Sequence, residues 1–349
     1  MANILEDAED IRRRGGGILR SLENLPEGCR EGIRLGEEVE LQHLEGLKPR
    51  RIIIAGMGGS AIGGLILRDW LLDASTPIYV SAGYHLPGFT DDETLIIAVS
   101  YSGNTEETLT ALMEAMERGC PILAVTSNGR MRKISEERGI PLIPLPRGLQ
   151  PRASLPQQLF SIAVALRRIG VEAPWDEVGE AIKVLEQLRP QLAPETAPEA
   201  NEAKSLALGL WGYIPHIYAP RRMEAVAYRL RTQLNENAKL PACSASLPEG
   251  FHNAVMGREG PEELLEKLAA LIIREPGEGE RLKRRINAFR ELLEESFGRV
   301  LELWARGRGL LSKILSALYI GDYTSLYLAL LYGYDPSTVK SIELLKRVG

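Results

Sequence analysis

The segment Ser100–Thr105 places three small hydroxyl side chains where a buried strand is followed by a helix. It follows the apolar run Thr94–Val99 and precedes an acidic pair that opens a helix. The unpaired N–H groups and positive dipole end of a helix N-terminus favour an anion there. Ser100, Ser102 and Thr105 add neutral donors, and the glycine lets the backbone approach. The segment therefore predicts a site for a phosphate monoester, and an N-capped turn without a ligand is the alternative.

A second loop, Gly56–Gly64, follows another apolar run and is rich in glycine. Positions 56, 58 and 61 satisfy G-x-G-x-x-G/A, the dinucleotide fingerprint. A dinucleotide site also needs an acidic residue at the end of the second strand, which binds the ribose hydroxyls. That strand ends at residues 79–83 without an acid, and the next acidic residue is Asp91. Gly58–Ser60 is therefore interpreted as a second wall of the phosphate pocket, and glycines that only allow tight packing are the alternative.

Both loops belong to a pattern in which apolar strands alternate with helices. Five runs read as buried parallel strands, at residues 51–56, 77–80, 94–99, 121–126 and 141–145. This spacing predicts a doubly wound parallel sheet. Ligands of such sheets bind outside the carboxyl ends of the strands, where Gly58 and Ser100 both lie.

A second alternating pattern follows a helical stretch that starts near Pro151. Its predicted elements are strands at 214–218, 268–273 and 300–304, helices at 223–234, 281–296, 311–331 and 337–348, and a linker marked by Pro190, Pro194 and Pro198. It lacks the glycine and hydroxyl loops of the first pattern, which predicts one phosphate pocket per chain. We expect an α/β protein of two doubly wound parallel-sheet units with flanking helices. The predicted divisions are a helical segment (1–46), a first domain (47–155) and a second domain with C-terminal helices (156–349).

Composition narrows the class of protein. The chain has 349 residues, of which 44% are hydrophobic, and this suffices for a large core. A net charge of -5 offers no basic field for nucleic acid. No window approaches eighteen consecutive apolar residues and the N-terminus is no signal peptide, so a cytoplasmic protein without membrane contact is expected. Three cysteines without CxxC spacing and four scattered histidines predict no metal site.

The two loops together resemble the sugar isomerase (SIS) domain. The resemblance rests on Gly58–Ala61 and Ser100–Thr105. SIS domains bind phosphorylated sugars at the loops after two parallel strands. Because they occur in enzymes and in sensors, catalytic groups must be sought elsewhere in the chain.

Two loops of the second pattern carry groups suited to proton transfer. Glu236 ends a predicted helix, and His252 follows sixteen residues later. Aldose–ketose isomerisation needs a base that moves a proton between C1 and C2, an acid/base pair that opens the ring and a cation that steadies the enediolate. Glu236, His252 and Arg152 suit these tasks in that order. Each also has a structural explanation, as a solvated Glu, a helix-capping His and an Arg in a salt bridge.

Most of the chain resembles the bifunctional phosphoglucose/phosphomannose isomerases, a compact branch of the phosphoglucose isomerase superfamily. The matching segments are Asn235–Asn237, the His-Asn pair at 252–253, Pro151–Pro156 and the tail Ile342–Lys346. The resemblance implies a metal-free and cofactor-free enzyme that interconverts fructose 6-phosphate with glucose 6-phosphate and mannose 6-phosphate. It also implies a homodimer in which the neighbouring subunit delivers the histidine.

The resemblance assigns roles to individual residues. Glu236 is implied as the base, Arg152 as the stabiliser of the intermediate, and His252 with Lys346 in ring opening. The implied substrate-binding residues are Gly58, Gly59, Ser60, Ser100, Ser102, Thr105 and Thr338. Conventional phosphoglucose isomerases have a Gln seven residues before the terminal Lys, where this chain has Val339. The compact branch has a smaller residue in this region, and Thr338, one position away, is the candidate.

Two other functions stay open at this point. One is another SIS isomerase, such as a glucosamine-6-phosphate isomerising domain. The lack of an amidotransferase domain with an N-terminal Cys before residue 50 argues against it. The other is a sugar-phosphate sensor without catalysis. Sensors of that kind carry a helix-turn-helix and a basic face, and neither is evident in the N-terminal segment.

Overall fold

The computed structural model describes residues 2–345, which form two compact units. The first unit is Asn24–Asp176, and the second joins the described residues before Asn24 to those after Asp176. The helices are α1 (Ala8–Glu23), α2 (Leu25–Glu38), α3 (Ile62–Trp70), α4 (Glu106–Glu117), α5 (Gly129–Arg138), α6 (Leu155–Ile169), α7 (Glu177–Leu192), α8 (Glu202–Leu210), α9 (Glu224–Glu236), α10 (Glu262–Leu265), α11 (Glu280–Glu294), α12 (Leu310–Leu331) and α13 (Lys340–Leu345). The strands are β1 (Arg51–Gly56), β2 (Ile78–Ser81), β3 (Thr94–Val99), β4 (Ile122–Thr126), β5 (Leu142–Pro144), β6 (Ile214–Pro220), β7 (Cys243–Leu247), β8 (Leu268–Arg274) and β9 (Arg299–Trp304). The domain boundaries expected from the sequence stay predictions.

The first unit contains a parallel sheet of five strands in the order β2-β1-β3-β4-β5. Every residue of β3 is buried, because helices cover both faces of the sheet. The chain leaves β1 toward β2 and returns to β3 on the other side, so a topological switch point lies between β1 and β3. Gly56 pairs with Val99 across these strands. The glycine loop and the hydroxyl loop therefore begin side by side at the switch point, at the carboxyl ends of their strands.

Helix α2 approaches α6 closely through glycines spaced four residues apart. Gly28, Gly32 and Gly36 lie on one face of α2 because of this spacing. A Cβ at Gly36 would lie 2.6 Å from the carbonyl oxygen of Ser161 and 2.7 Å from the Cβ of Val164. Any side chain there would push the helices apart. The contact matters for the site, because the 3-10 turn that carries Arg152 leads directly into α6.

The second unit contains a parallel sheet of four strands in the order β7-β6-β8-β9. Helix α12 forms its centre, and the 18-residue window that is apolar enough to cross a membrane is wholly buried in the protein. Such burial is typical of a core helix. The sheets confirm the predicted α/β class of two doubly wound parallel units with flanking helices.

Several elements of the structure differ from the sequence prediction. The sequence does not predict strand β7, because Cys-Ser-Ala-Ser-Leu has small and polar residues and forms a half-exposed edge. Helices α5 and α8 are likewise absent from the prediction. The predicted linker is wrong at Pro190, which lies inside the last turns of α7. The predicted closing helix is observed only as α13, and its residues beyond 345 lie outside the described part of the chain.

The glycine packing yields a stability prediction. Gly36→Ala should lower the free energy of unfolding of the first unit by about 1–3 kcal/mol, because the new methyl group meets backbone at 2.6 Å. Gly179→Ala in α7 is the matched control, since nothing lies within 4 Å of its Cβ position. Denaturant titration measures both variants. Equal stability of the two would contradict the view that the glycines limit the distance between the helices.

Candidate active site

The hydroxyl loop after β3 is held by its own polar groups. Ser100 is fully buried. Its Oγ accepts a hydrogen bond from the N–H of Gly103 at 3.1 Å and lies 2.9 Å from Oγ1 of Thr105. Gly103 has φ +69, and a Cβ there would lie 1.8 Å from the carbonyl oxygen of Asn128. The loop therefore has one tight shape, which requires glycine at position 103.

The N-terminus of α4 is open to a ligand. Thr105 occupies the N-cap position, but its side chain makes no capping hydrogen bond to the helix. Its hydroxyl instead contacts the buried Ser100 hydroxyl at 2.9 Å. Ser102 is exposed at the same end of the helix. Helix N–H groups without a cap, beside two accessible hydroxyls, are suited to bind an anion such as a phosphate.

The glycine loop after β1 contacts the turn that carries Arg152. A Cβ at Gly59 would lie 2.9 Å from the backbone nitrogen and 3.0 Å from the Cα of Arg152. Gly58, in the same 3-10 turn as Gly59, has φ +48. Arg152 itself is 6% exposed. The missing side chain at position 59 thus lets a guanidinium-bearing turn lie directly against the glycine loop.

Ser60 joins the glycine loop to the hydroxyl loop. Its buried Oγ accepts a hydrogen bond from the N–H of Tyr101 at 3.3 Å. Ser100, Ser102 and Thr105 belong to the loop that contains Tyr101. The first unit therefore brings together the phosphate-binding candidates and Arg152, all at the carboxyl end of its sheet.

Tyr101 and Ser127 stabilise this region through contacts that the sequence does not reveal. The Tyr101 hydroxyl donates to the carbonyl of Pro146 and accepts from the N–H of Leu149, both at 2.8 Å. The Ser127 hydroxyl donates to the carbonyl of Tyr101 at 2.6 Å. The charges of Glu106 and Glu107 raise the pKa of the exposed Tyr84. No local sequence signal marks these contacts, because their partners lie on other loops.

In the second unit, Glu236 is the last residue of α9 and is partly buried. Two contacts attach its helix to α12. The buried guanidinium of Arg229 donates to the carboxylate of Asp322, with Nη2–Oδ2 at 2.7 Å. The side-chain amide of Asn237 donates to the Ser325 hydroxyl at 2.9 Å. The end of the helix is therefore fixed to the core of the unit.

The structure brings Thr338 close to the end of α9. The ammonium of Lys239 donates to the carbonyl of Glu236 at 2.5 Å and to that of Thr338 at 2.8 Å. The Thr338 hydroxyl donates to the carbonyl of Asp335 at 3.2 Å. Hydrogen bonds from Ser337, and then the charge of Lys239, hold the pKa of Asp335 below its usual range. Lys346 lies outside the described residues.

His252 lies beyond the carboxyl end of a strand in the four-stranded sheet of the second unit. It follows β7 and the 3-10 turn Glu249–Phe251, and it is exposed. Helix α9 connects the parallel strands β6 and β7. It therefore runs from the side of the sheet where the strands have their carboxyl ends (the carboxyl edge) back to the side where they have their amino ends (the amino edge). Glu236 is therefore at the amino edge, and β7 separates it from His252 by about 16 Å along the strand. The topology of the second unit therefore puts the two residues at opposite ends of β7.

Among residues 2–345, no group of three or more His, Cys, Asp or Glu side chains is placed to hold a metal ion. The donors in the first unit are hydroxyls, backbone N–H groups and a guanidinium. This set is suited to bind and stabilise anionic oxygen.

Comparisons with known proteins agree with this description. The SIS domain model matches residues 47–137, and the model of the bacterial phospho-glucose isomerase C-terminal SIS domain matches residues 199–348. The bifunctional phosphoglucose/phosphomannose isomerase of Caldicellulosiruptor bescii is 36% identical over 332 residues, which cover 94% of this chain and 98% of that protein. The protein of the same name from Aquifex aeolicus is 38% identical over 298 residues, covering 84% and 89%.

A solved structure supports the fold. A hypothetical protein of Thermus thermophilus has a TM-score of 0.77 at 20% identity, with coverage of 98% of this chain and 93% of that one. This likeness concerns the fold alone. The identity to the named relatives, which spans nearly the whole chain, confirms the resemblance found in the sequence motifs. The chain belongs to the bifunctional phosphoglucose/phosphomannose isomerase family.

Proposed function

We propose that this protein interconverts fructose 6-phosphate with glucose 6-phosphate and mannose 6-phosphate in the cytoplasm. The observation that carries the proposal is the backbone contact between Gly59 and the Arg152 turn, 2.9 Å from the Cβ position at residue 59. In this contact the backbone of a turn that carries a buried arginine lies against the glycine loop, and this supports a role for Arg152 at the phosphate site. The names of the two relatives support the choice of substrates.

The phosphate of the sugar is proposed to bind at the N-terminus of α4. Ser102 and Thr105 would donate hydroxyl hydrogen bonds, together with the N–H groups of the first helical turn. Gly58 and Gly59 would let the phosphate approach the backbone. Ser60 and Ser100 are buried and would support the loops that contact the phosphate. Ser100 can donate a hydrogen bond to the Thr105 hydroxyl, which leaves the hydrogen of that hydroxyl for the ligand.

Glu236 is proposed to move the proton between the two carbons. As the base, its carboxylate takes a proton from C1 of the ketose, which leaves an enediolate. It returns the proton to C2 of the same molecule while the hydroxyl proton of O1 passes to O2, which gives the aldose. Arg152 would stabilise the negative charge that develops on oxygen. Because the enediolate is planar, a proton delivered to one face of C2 yields one epimer, and delivery to the other face yields the second. Thr338, a small residue, would leave room for both.

Ring opening is proposed to involve His252 and Lys346. His252 and Glu236 lie at opposite edges of one sheet, and this supports a site that receives its histidine from a second copy of the chain. His252 is exposed, and Met256, on the turn that follows, is 57% exposed. We therefore propose a homodimer with two composite sites.

The first experiment measures isomerisation of fructose 6-phosphate in the presence of EDTA, with both aldose products quantified separately. We expect both products from the unmodified protein. Glu236→Gln should lower kcat by about 10²–10⁴ with little change in KM, because the amide cannot accept the proton.

The matched control for this variant is Glu249→Gln, in the turn before His252. It should retain its activity, because glutamine keeps an oxygen that can accept the 2.9 Å hydrogen bond from the Asn253 amide. Full activity of Glu236→Gln would remove the base assignment. Tight sugar-phosphate binding without either product would favour a sensor, and turnover of glucosamine 6-phosphate alone would favour the other SIS isomerase.

A second prediction concerns the phosphate loop. The double variant Ser102→Ala with Thr105→Val should raise KM by about tenfold or more, because two hydrogen bonds to a charged group are lost. The inhibition constant of inorganic phosphate should rise in parallel. Thr110→Val, farther along α4, is the control and should leave both constants unchanged. Unchanged constants in the double variant would place the phosphate elsewhere.

A third prediction tests the composite site. Chains with Glu236→Gln and chains with His252→Ala should each be nearly inactive alone. Mixed under conditions that exchange subunits, they should regain activity, because one of the two sites in a heterodimer then has both native residues. If mixing restores nothing while mass measurement confirms heterodimers, each site is built within one chain.

A further inference from the structure

Lys239 occupies a position that the proposed chemistry does not explain. Its ammonium donates to three backbone carbonyls, those of Glu236 at 2.5 Å, Thr338 at 2.8 Å and Asp335 at 3.3 Å. The first belongs to the end of α9, and the other two lie 96 to 99 residues farther along the chain. One side chain therefore joins the segment of the proposed base to the segment of the proposed specificity residue.

The chemistry of the contact suits a lysine. An ammonium has three donors and no acceptor, and here three carbonyl oxygens converge on it. The last carbonyls of a helix lack intrahelical partners and lie at the negative end of its dipole, so they favour a cation. The carbonyl of Glu236 is one of these, because Glu236 is the last residue of α9.

The backbone around Lys239 is shaped for this contact. Lys239 has φ +56, a left-handed conformation that few residues other than glycine adopt. The chain reverses there, with the N–H of Leu240 donating back to the carbonyl of Leu234 at 3.1 Å. The reversal turns the lysine side chain toward the end of the helix it has just left. Capping of the helix alone does not account for the hydrogen bonds to the carbonyls of Asp335 and Thr338.

The two segments that Lys239 joins are held in different ways. Asp335 organises the segment of Thr338 locally, since the N–H and hydroxyl of Ser337 and the hydroxyl of Thr338 all donate to it. Helix α9 is attached to α12 through Arg229 and Asn237. The attachments of the helix do not pass through Lys239. Loss of Lys239 should therefore leave the helix in place and loosen the Thr338 segment from it.

We infer that Lys239 is a positioning residue, which sets the place of Thr338 relative to Glu236 and thereby the ratio of the two C2 epimers formed. The inference rests on the proposed function, because it needs both aldose products. Lys239 touches neither substrate nor reacting atoms in this role; it acts through the two segments that it joins.

The test compares Lys239→Met with Lys267→Met, which removes an exposed lysine of the same unit. Initial rates of both aldose products from fructose 6-phosphate are measured with the melting temperature. Lys239→Met should lower kcat by about 10- to 100-fold, as expected for misplaced catalytic groups. It should also change the ratio of mannose 6-phosphate to glucose 6-phosphate, with a melting temperature within about 4 °C of the unmodified protein. Lys267→Met should match the unmodified protein in all three measurements.

An unchanged rate and product ratio in folded Lys239→Met would overturn the inference while leaving the proposed function intact. An unmodified protein that makes neither product would instead overturn both. If Lys239→Met does not fold, Lys239→Arg decides: it keeps the charge, but its planar fork cannot converge on three carbonyls in the same way. Folded Lys239→Arg should give an altered product ratio, and an unaltered ratio would overturn the inference.

Discussion

The closeness of two turns at Gly59 and Arg152 is the constraint on which the first unit depends. The backbone of the Arg152 turn lies 2.9 Å from where a side chain at position 59 would begin, so this distance is set by the absence of that side chain. The same arrangement recurs one layer away, where glycines of α2 let α6 approach. Since α6 starts directly after the Arg152 turn, both sets of glycines determine where the backbone of that turn lies. Close backbone packing thus fixes the turn from which this buried arginine extends.

The two sheets offer different polar and charged groups after their corresponding strands. In the first unit, the strand beside the switch point is β3, and the loop after it offers hydroxyls and helix N–H groups. In the second unit, the corresponding strand is β8, which ends in the buried Arg274. Its guanidinium donates to Glu278 at 2.7 Å and to Glu302 at 2.5 Å. Two carboxylates already neutralise this cation, so an added anion would gain little there. This supports the prediction of one phosphate pocket per chain.

The sequence predicts those parts of the molecule whose physical signal is local. The strand Thr94–Val99 is predicted with its observed ends, because a fully buried parallel strand is a continuous apolar run. The phosphate loop is recognisable because a strand, small hydroxyl residues and a helix start are adjacent in the chain. The sequence does not predict strand β7, because an edge strand of small and polar residues lacks a continuous apolar run. The contacts of Lys239 are invisible in the sequence for another reason: their partners lie up to 99 residues away.

The topology of the second unit also limits which of its residues can lie close together. In a parallel βαβ unit the crossover helix must return to the edge where the next strand starts, so its C-terminus lies opposite the loop that follows that strand. Glu236 ends such a helix, and His252 lies just beyond the strand that comes next. The separation is a consequence of the fold, because the five residues of β7 span about 16 Å. For a reaction that uses both groups on one small sugar, this separation favours supply of the second group from outside this unit. An exposed histidine beside exposed apolar side chains is suited to be supplied to another copy, and this supports the proposed dimer.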